Sequence, residues 1–291
     1  MIGGFSSLYP GVAALYFIGM LMLIMWLNHP LYLVTSLLSI LLLNLSLDGG
    51  AALKKSWRGY LLMMGVVMVL NPLFSSRGAT ILFYLRNRPV TLESVLYGII
   101  FALTLVTVLT GFQAYQQIIT VDKFLYLTGS VLPRTAFVII MILRLMPLLR
   151  RRLKDIKAIA KTLGRMKGNN RRQRIGETME QINTLLVWTM EESLHTAVAM
   201  RASGYGCGPR SSFRAYRKEA RDYWMTVLLL AVGLAVFAGG FQGAGRMVFY
   251  PAVAGLSVNG WHYALFLCWC TVPVLMNVLE MIQWQLIKLK M

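Results

Sequence analysis

Carboxylates are scarce in this chain. Its 291 residues include 11 Asp and Glu against 29 Lys and Arg, a formal net charge of +18 at pH 7. Where the acids stand matters more than how few they are. Asp48, Glu93, Asp122, Asp155, Asp222 and Glu280 sit at or beyond the ends of apolar runs, and the rest fall in a central helical stretch or a basic linker. No carboxylate lies in the middle of an apolar run. Ion-coupled carriers keep a buried ionisable group on their path, so an autonomous proton- or sodium-driven carrier is disfavoured. The same absence weakens a membrane enzyme that holds a metal-bound diphosphate with aspartates.

Other signatures are missing too. No GxxxxGK[ST] occurs, so the chain has no P-loop for ATP. Gly204-Tyr-Gly206-Cys-Gly208 is a run of alternating glycines with no strand before it, and reads as a helix stop followed by a turn. The 3 cysteines, Cys207, Cys268 and Cys270, form no CxxC pair and indicate neither a disulfide framework nor a zinc site. The histidines His29, His195 and His262 are scattered; Glu191 and His195 are four apart and read as a helix-surface pair. No acid–base set, metal set or cofactor site emerges. The N-terminus lacks the basic n-region of a signal peptide, so Gly11–Leu27 is read as a retained span.

What the chain has in abundance is apolar sequence: 57% hydrophobic residues, 14% charged. With several long apolar runs, those values indicate a membrane protein. Spans are expected at Gly11–Leu27, Leu31–Leu47, Tyr60–Leu70 continuing through Phe74, Leu92–Ala114, Trp224–Gly239 and Trp261–Val278. Asn28-His29-Pro30 reads as a tight turn, Ser75–Thr91 as a polar loop and Gly240–Gly260 as a glycine-rich loop. Trp224 and Trp261 stand at span ends, where aromatic belts form. The 18 methionines suit lipid-facing, core or adaptable partner surfaces.

The positive charge is concentrated. Twelve Lys and Arg lie between Arg144 and Arg174, and six more between Arg201 and Arg221. Basic residues beside apolar spans mark the cytoplasmic side, and anionic headgroups are a second reading. Nucleic acid is not expected as a partner, because no aromatic-interleaved basic motif accompanies the charge. Placing the basic middle inside also puts Lys54, Lys55, Arg58, Lys288 and Lys290 inside, with both termini. Arg77, Arg86 and Arg88 then face outside, against the trend.

That middle, Pro133–Gly208, organises the chain. A hydrophobic lead-in, Thr135–Leu149, precedes a basic helical run, Arg150–Gly164. Arg144 and Pro147 argue against the lead-in being a plain span. Within the basic run Leu149, Leu153, Ile156, Ala160 and Leu163 share a face, with Arg150, Arg151, Lys154, Lys157 and Lys161 off it. A polar break, Lys167–Arg172, separates it from a second amphipathic run. There Met179, Ile182, Leu186, Met190, Leu194, Ala197 and Arg201 recur at spacings of three and four. From Glu177 to Gly204 this second run measures roughly 39 Å if helical. Both runs stop at a glycine, Gly164 and Gly204, with a cation in the last turns, Lys161 and Arg201. Two readings follow: two cytoplasmic helices on the membrane surface, or two matching contact points for a paired partner.

The residues also resemble a known family. Ala197-Val-Ala-Met-Arg-Ala-Ser-Gly-Tyr-Gly206, with Gly208, Arg210, Phe213 and Arg221-Asp222, is similar to the end of the second coupling helix in T components of energy-coupling factor transporters. Asp122–Thr128, Pro133-Arg134, Met141–Pro147 and Ala160-Lys-Thr-Leu-Gly164 resemble the first coupling region. Asn71-Pro72-Leu73-Phe74 with Gly78 resembles the third span and following loop. The resemblance covers roughly Asn71 to Trp224. Two positions depart from it: Ser203 stands where arginine is usual, and Leu163 directly precedes the first glycine.

The resemblance implies a non-catalytic integral-membrane scaffold. Its coupling helices dock into two ABC-type ATPase subunits, and its membrane surface holds a substrate-binding S component for a vitamin or metal ion. It assigns the ATPase contacts to Lys161, Thr162, Leu163 and Gly164 and to Arg201, Ala202, Ser203 and Gly204. The expected architecture is an all-α polytopic membrane protein with about six spans and long amphipathic coupling helices. It divides into an N-terminal membrane region (1–133), a coupling-helix region (134–204), a basic linker (205–222) and a C-terminal membrane region (223–291). The expected location is the prokaryotic cytoplasmic membrane. The rival readings are an autonomous secondary transporter and a membrane enzyme acting on lipid or prenyl phosphates.

Overall fold

The computed structural model describes residues 4–74, 78, 80–85, 88–164, 171–208, 216, 218–249, 255 and 258–290, without the side chains of 6, 83, 85, 88, 89 and 283–290. The basic break at 165–170 and the positions Arg77, Arg86, Arg210 and Phe213, all used in the sequence reading, lie outside the described residues.

The described chain is overwhelmingly helical: α1 (Gly4–Ser7), α2 (Pro10–Trp26), α3 (Pro30–Asp48), α4 (Ala51–Phe74), α5 (Leu92–Ile118), α6 (Val121–Val131), α7 (Pro133–Thr162), α8 (Arg171–Ala202), α9 (Ala220–Phe241) and α10 (Gly260–Lys290). Among the described residues, five helices are long and apolar enough to cross a membrane: α3, α4, α5, α9 and α10 as far as Ile282. The apolar α2 has 17 residues and rises about 25 Å, somewhat less than a bilayer core of about 30 Å. The protein is a multi-pass, helical membrane protein.

Local sequence fixes the helix ends. α2, α3 and α7 each begin on a proline, whose missing N–H costs nothing in the first turn. The Leu31 amide donates to His29 Nδ1 at the start of α3, and the Ser94 amide to Thr91 Oγ1 at the start of α5. Glu219 and Asp222 close a reciprocal cap on α9. Gly49, in the left-handed region, ends α3.

Several expectations from sequence are corrected. Ser75–Thr91 was read as a loop, but Ile81–Leu85 pairs antiparallel with Arg88–Thr91. The run Ile-Leu-Phe-Tyr-Leu has strand composition, and the Glu93 carboxylate holds the approach to it by accepting from the Thr80 amide (3.1 Å) and hydroxyl (2.8 Å). Lys54, Lys55 and Arg58 do not precede the third long helix; they form its first turns, because nothing between Gly50 and Pro72 breaks α4. The lead-in Thr135–Leu149 and the basic run are one helix, α7, with Pro147 inside it. α8 begins at Arg171 rather than Glu177. α10 continues past Val278 to Lys290.

The chain forms two compact units, Met1–Phe124 with Tyr216–Met291, and Leu125–Ala215. In the first, the core gathers around α2. Tyr16 packs edge-on to Phe5 and Phe17 and stacks on Trp269 of α10 at 5.9 Å. Trp269 lies against glycines on two helices: a Cβ on Gly19 would stand 2.9 Å from its ring, and one on Gly233 2.6 Å. Polar ties between helices accompany this packing. Tyr32 Oη lies 2.8 Å from His262 Nδ1, whose Nε2 lies 2.9 Å from the Val236 carbonyl. The Asn277 side chain accepts from the Phe5 amide and donates to Ser46 Oγ.

Candidate functional site: a glycine-ended helical hairpin

The second unit holds α7 and α8, and with them every residue assigned to partner contact. The two helices run antiparallel, as three contacts along their length establish. Near the start of α7, Phe137 stacks on Tyr205, just past the end of α8 (5.2 Å between centroids, 23° between planes). Midway, the Arg152 guanidinium lies 4.8 Å from the Trp188 ring centroid. At the far end, Ile156, Ile159, Ala160 and Leu163 line a groove of about 170 Å³ with Glu177, Glu180, Gln181 and Thr184.

This register separates the two predicted contact sets. Lys161–Gly164 ends α7 beside Glu177, whereas Arg201–Gly204 ends α8 beside Phe137. The structure therefore brings together each set of four but not the two sets. Along α8, Glu177 and Gly204 are separated by roughly 39 Å of helical rise.

Both ends are built alike. Gly164 (φ 69°) and Gly204 (φ 76°) occupy the left-handed region. The Gly164 amide donates to the Lys161 carbonyl at 3.1 Å, and the Gly204 amide to the Arg201 carbonyl at 3.0 Å. On α8 the Tyr205 amide also reaches back to the Met200 carbonyl, 3.0 Å, which completes a Schellman stop. Lys161, Thr162, Leu163, Arg201, Ala202, Ser203 and Gly204 are all exposed, and Gly164 is half-buried. The Thr162 hydroxyl donates to the Ile159 carbonyl (2.8 Å) and the Ser203 hydroxyl to the Ala199 carbonyl (2.7 Å). Both hydroxyls are thus turned back onto their own helices.

The faces differ from the simplest expectation. α7 presents Leu149, Leu153, Ile156 and Ala160 as a half-buried line, as its spacing indicated, but Leu163, expected on the same face, is exposed. α8 does not answer with its apolar face. Its covered positions are Glu177, Gln181, Leu185, Trp188, Thr189, Glu192, Thr196 and Met200, of which Glu177 and Gln181 line the groove and Trp188 lies under Arg152. The line Met179, Leu186, Met190, Leu194 is exposed. The 4.0 Å Glu191–His195 pair lies at the surface, as its spacing suggested. Phe137 and Trp188 were not singled out in sequence; only the antiparallel register reveals their partners.

No protein-family model and no curated protein matches this chain.

Proposed function

We propose that the protein is the non-catalytic membrane coupling subunit of an energy-coupling-factor-type importer, joining two ABC-type ATPases to a substrate-binding membrane component for a vitamin or metal ion. One observation carries the reading. A single antiparallel hairpin offers two similar exposed helix ends, each stopped by a left-handed glycine with a cation in its last turn. Two like ends roughly 39 Å apart suit two copies of one kind of groove, the arrangement a pair of related ATPases presents. The macrodipole favours Lys161 and Arg201 at these termini, and either cation can pair with a groove carboxylate.

The rest of the reading follows from the charge distribution. The hairpin lies on the cytoplasmic side of a prokaryotic membrane, six helices cross it with α2 as the shortest, and both termini are inside. In this scheme ATP is bound and hydrolysed by the partners, and the movement of their grooves is transmitted through the two helix ends.

Co-purification tests the proposal. Tagged full-length protein drawn from its native membrane should bring down ATPase subunits in stoichiometric amount. Recovery of the chain alone, with ion-driven uptake in liposomes, would support the rival carrier and remove the coupling role.

A further inference from the structure

We infer that the side of α4 turned away from α5 holds an anionic phospholipid, its phosphodiester against Lys54, Lys55 and Arg58 and an acyl chain along the helix beyond them. α4 has no buried residue. Its half-buried positions include Leu53, Ser56, Tyr60, Met64, Val67 and Asn71, spaced by three and four. This line faces α5: the Tyr60 hydroxyl donates to Gln113 Oε1 at 2.9 Å, and Asn71 lies against Gly98. Lys54 and Arg58, one turn apart, stand on the opposite side, with Lys55 beside them, and all three are exposed. Among the described residues none of the three forms an ion pair or a side-chain hydrogen bond, and α4 itself contains no carboxylate.

Charge, shape and length select the occupant. Three unpaired cations within two turns, facing away from the rest of the protein, attract an anion, and the exposed Trp57 among them suits the headgroup level. Beyond Arg58 the same side turns wholly apolar, through Leu61, Leu62 and Val69, which are 56%, 70% and 62% exposed. Gly65 lies between them, and a Cβ there would meet nothing within 4 Å. Bare backbone at Gly65 thus makes a shallow trough rimmed by leucine and valine, of a width that suits a hydrocarbon chain. From Arg58 to Val69 the helix rises about 16 Å, the depth of one leaflet in a core about 30 Å thick. Cations first and an apolar trough behind them repeat the order of a phospholipid, headgroup then chain. A soluble anion would use the cations alone. A charged peptide could not follow the trough, because α4 is a candidate span and its apolar part stands in hydrocarbon. This does not rest on the coupling proposal, and failure to recover ATPases would leave it standing.

Photolabelling and native mass spectrometry of the full chain test it. In phosphatidylcholine liposomes carrying a trace of phosphatidylglycerol with a diazirine in its acyl chain, irradiation should label α4 around Leu62 and Gly65 several-fold above the other spans. The same probe on phosphatidylcholine should label all spans alike. In detergent, phosphatidylglycerol adducts should outnumber phosphatidylcholine adducts of the same chains. Lys54→Gln, Lys55→Gln and Arg58→Gln should each lower the first phosphatidylglycerol adduct about fivefold, whereas Lys54→Arg should keep it. Gly65→Leu, which fills the trough, should weaken both lipids. Glycerol 3-phosphate, which has the charge without the chains, should not compete. Equal labelling of all spans by the phosphatidylglycerol probe, or charge variants that bind as the unaltered chain does, would overturn the proposal. So would competition by glycerol 3-phosphate, which would assign the cations to a soluble anion. Absence of label from α4 would overturn it too, since protein would then cover the face. The labelling uses the unaltered chain and decides the question even where a variant fails to fold.

Discussion

Phe137 and Tyr205 lie 68 positions apart and stack at 5.2 Å, near parallel. The pair clamps the end of α8 onto the start of α7. Tyr205 is also the residue whose amide closes the Schellman stop on Met200. One residue therefore fixes both the conformation of the turn after Gly204 and its position on the neighbouring helix. The exposed Arg201–Gly204 end is held from behind, which leaves its outer side open for a partner.

Breaking the stack should loosen that end without unfolding the hairpin. An aromatic pair contributes about 0.5–1.5 kcal/mol beyond its buried area. Phe137→Ala should accelerate hydrogen exchange at the Gly204 and Tyr205 amides by about 2- to 13-fold, which is that energy expressed as an equilibrium ratio. Tyr205→Ala should loosen the Gly204 amide similarly, and the double variant should add little to either. Additive effects would show that the two rings act separately.

Trp269 gives a second test, in the first unit. Its ring occupies the space that a side chain on Gly233 would need, with a Cβ 2.6 Å away. Gly233→Ala should lower stability by about 1–3 kcal/mol through overpacking, read as a lower unfolding temperature in detergent. Trp269→Leu in that background should recover part of the loss. If Gly233→Ala is neutral, the close approach of α9 and α10 at this point is looser than described.

How legible was this in the sequence? Five of the six expected spans were, because long apolar runs need no partner to declare themselves; the sixth, Gly11–Leu27, falls on the 17-residue α2. The two glycine stops were legible for the same local reason. The strands Ile81–Leu85 and Arg88–Thr91 were not, because a five-residue strand competes with turn residues and depends on Glu93 reaching back to Thr80. The unbroken α7 was missed because Pro147 and a sharp change from apolar to basic look like a boundary, while the backbone ladder ignores the change in side-chain polarity. The packing of α8 was the largest surprise. Its apolar periodicity was read correctly, but periodicity says only that a face is apolar, not that α7 is what covers it. Nothing local to Phe137 points to Tyr205.

The lack of a P-loop and of any carboxylate in the middle of a span predicts an inert isolated chain. Purified alone and reconstituted in liposomes, the protein should hydrolyse no ATP above an empty-liposome control and should accumulate no substrate under a proton or sodium gradient. Gradient-driven uptake by the chain alone would displace the coupling proposal in favour of the carrier.

The final prediction concerns which residue at the α8 end carries partner affinity. Arg201 and Ser203 are both exposed, two positions apart, and thus point to different sides of the helix. The Ser203 hydroxyl is already donated to the Ala199 carbonyl, so its remaining capacity is as a neutral acceptor, worth about 0.5–1.5 kcal/mol net. Arg201 offers a full charge at a helix C-terminus, where the dipole favours it. Removing a paired charge from a desolvated interface costs about 2–5 kcal/mol, much of it from the carboxylate left behind. Arg201→Ala should therefore weaken ATPase recovery at least about 30-fold, the lower end of that range, and abolish ATP-driven uptake, whereas Ser203→Ala should stay within about tenfold. Ser203→Arg should strengthen docking where the partner groove keeps an acidic site. Quantitative pull-down of the ATPases with each variant decides the matter. Unchanged recovery and uptake for Arg201→Ala would remove this residue from the contact and leave it to the lipid headgroups.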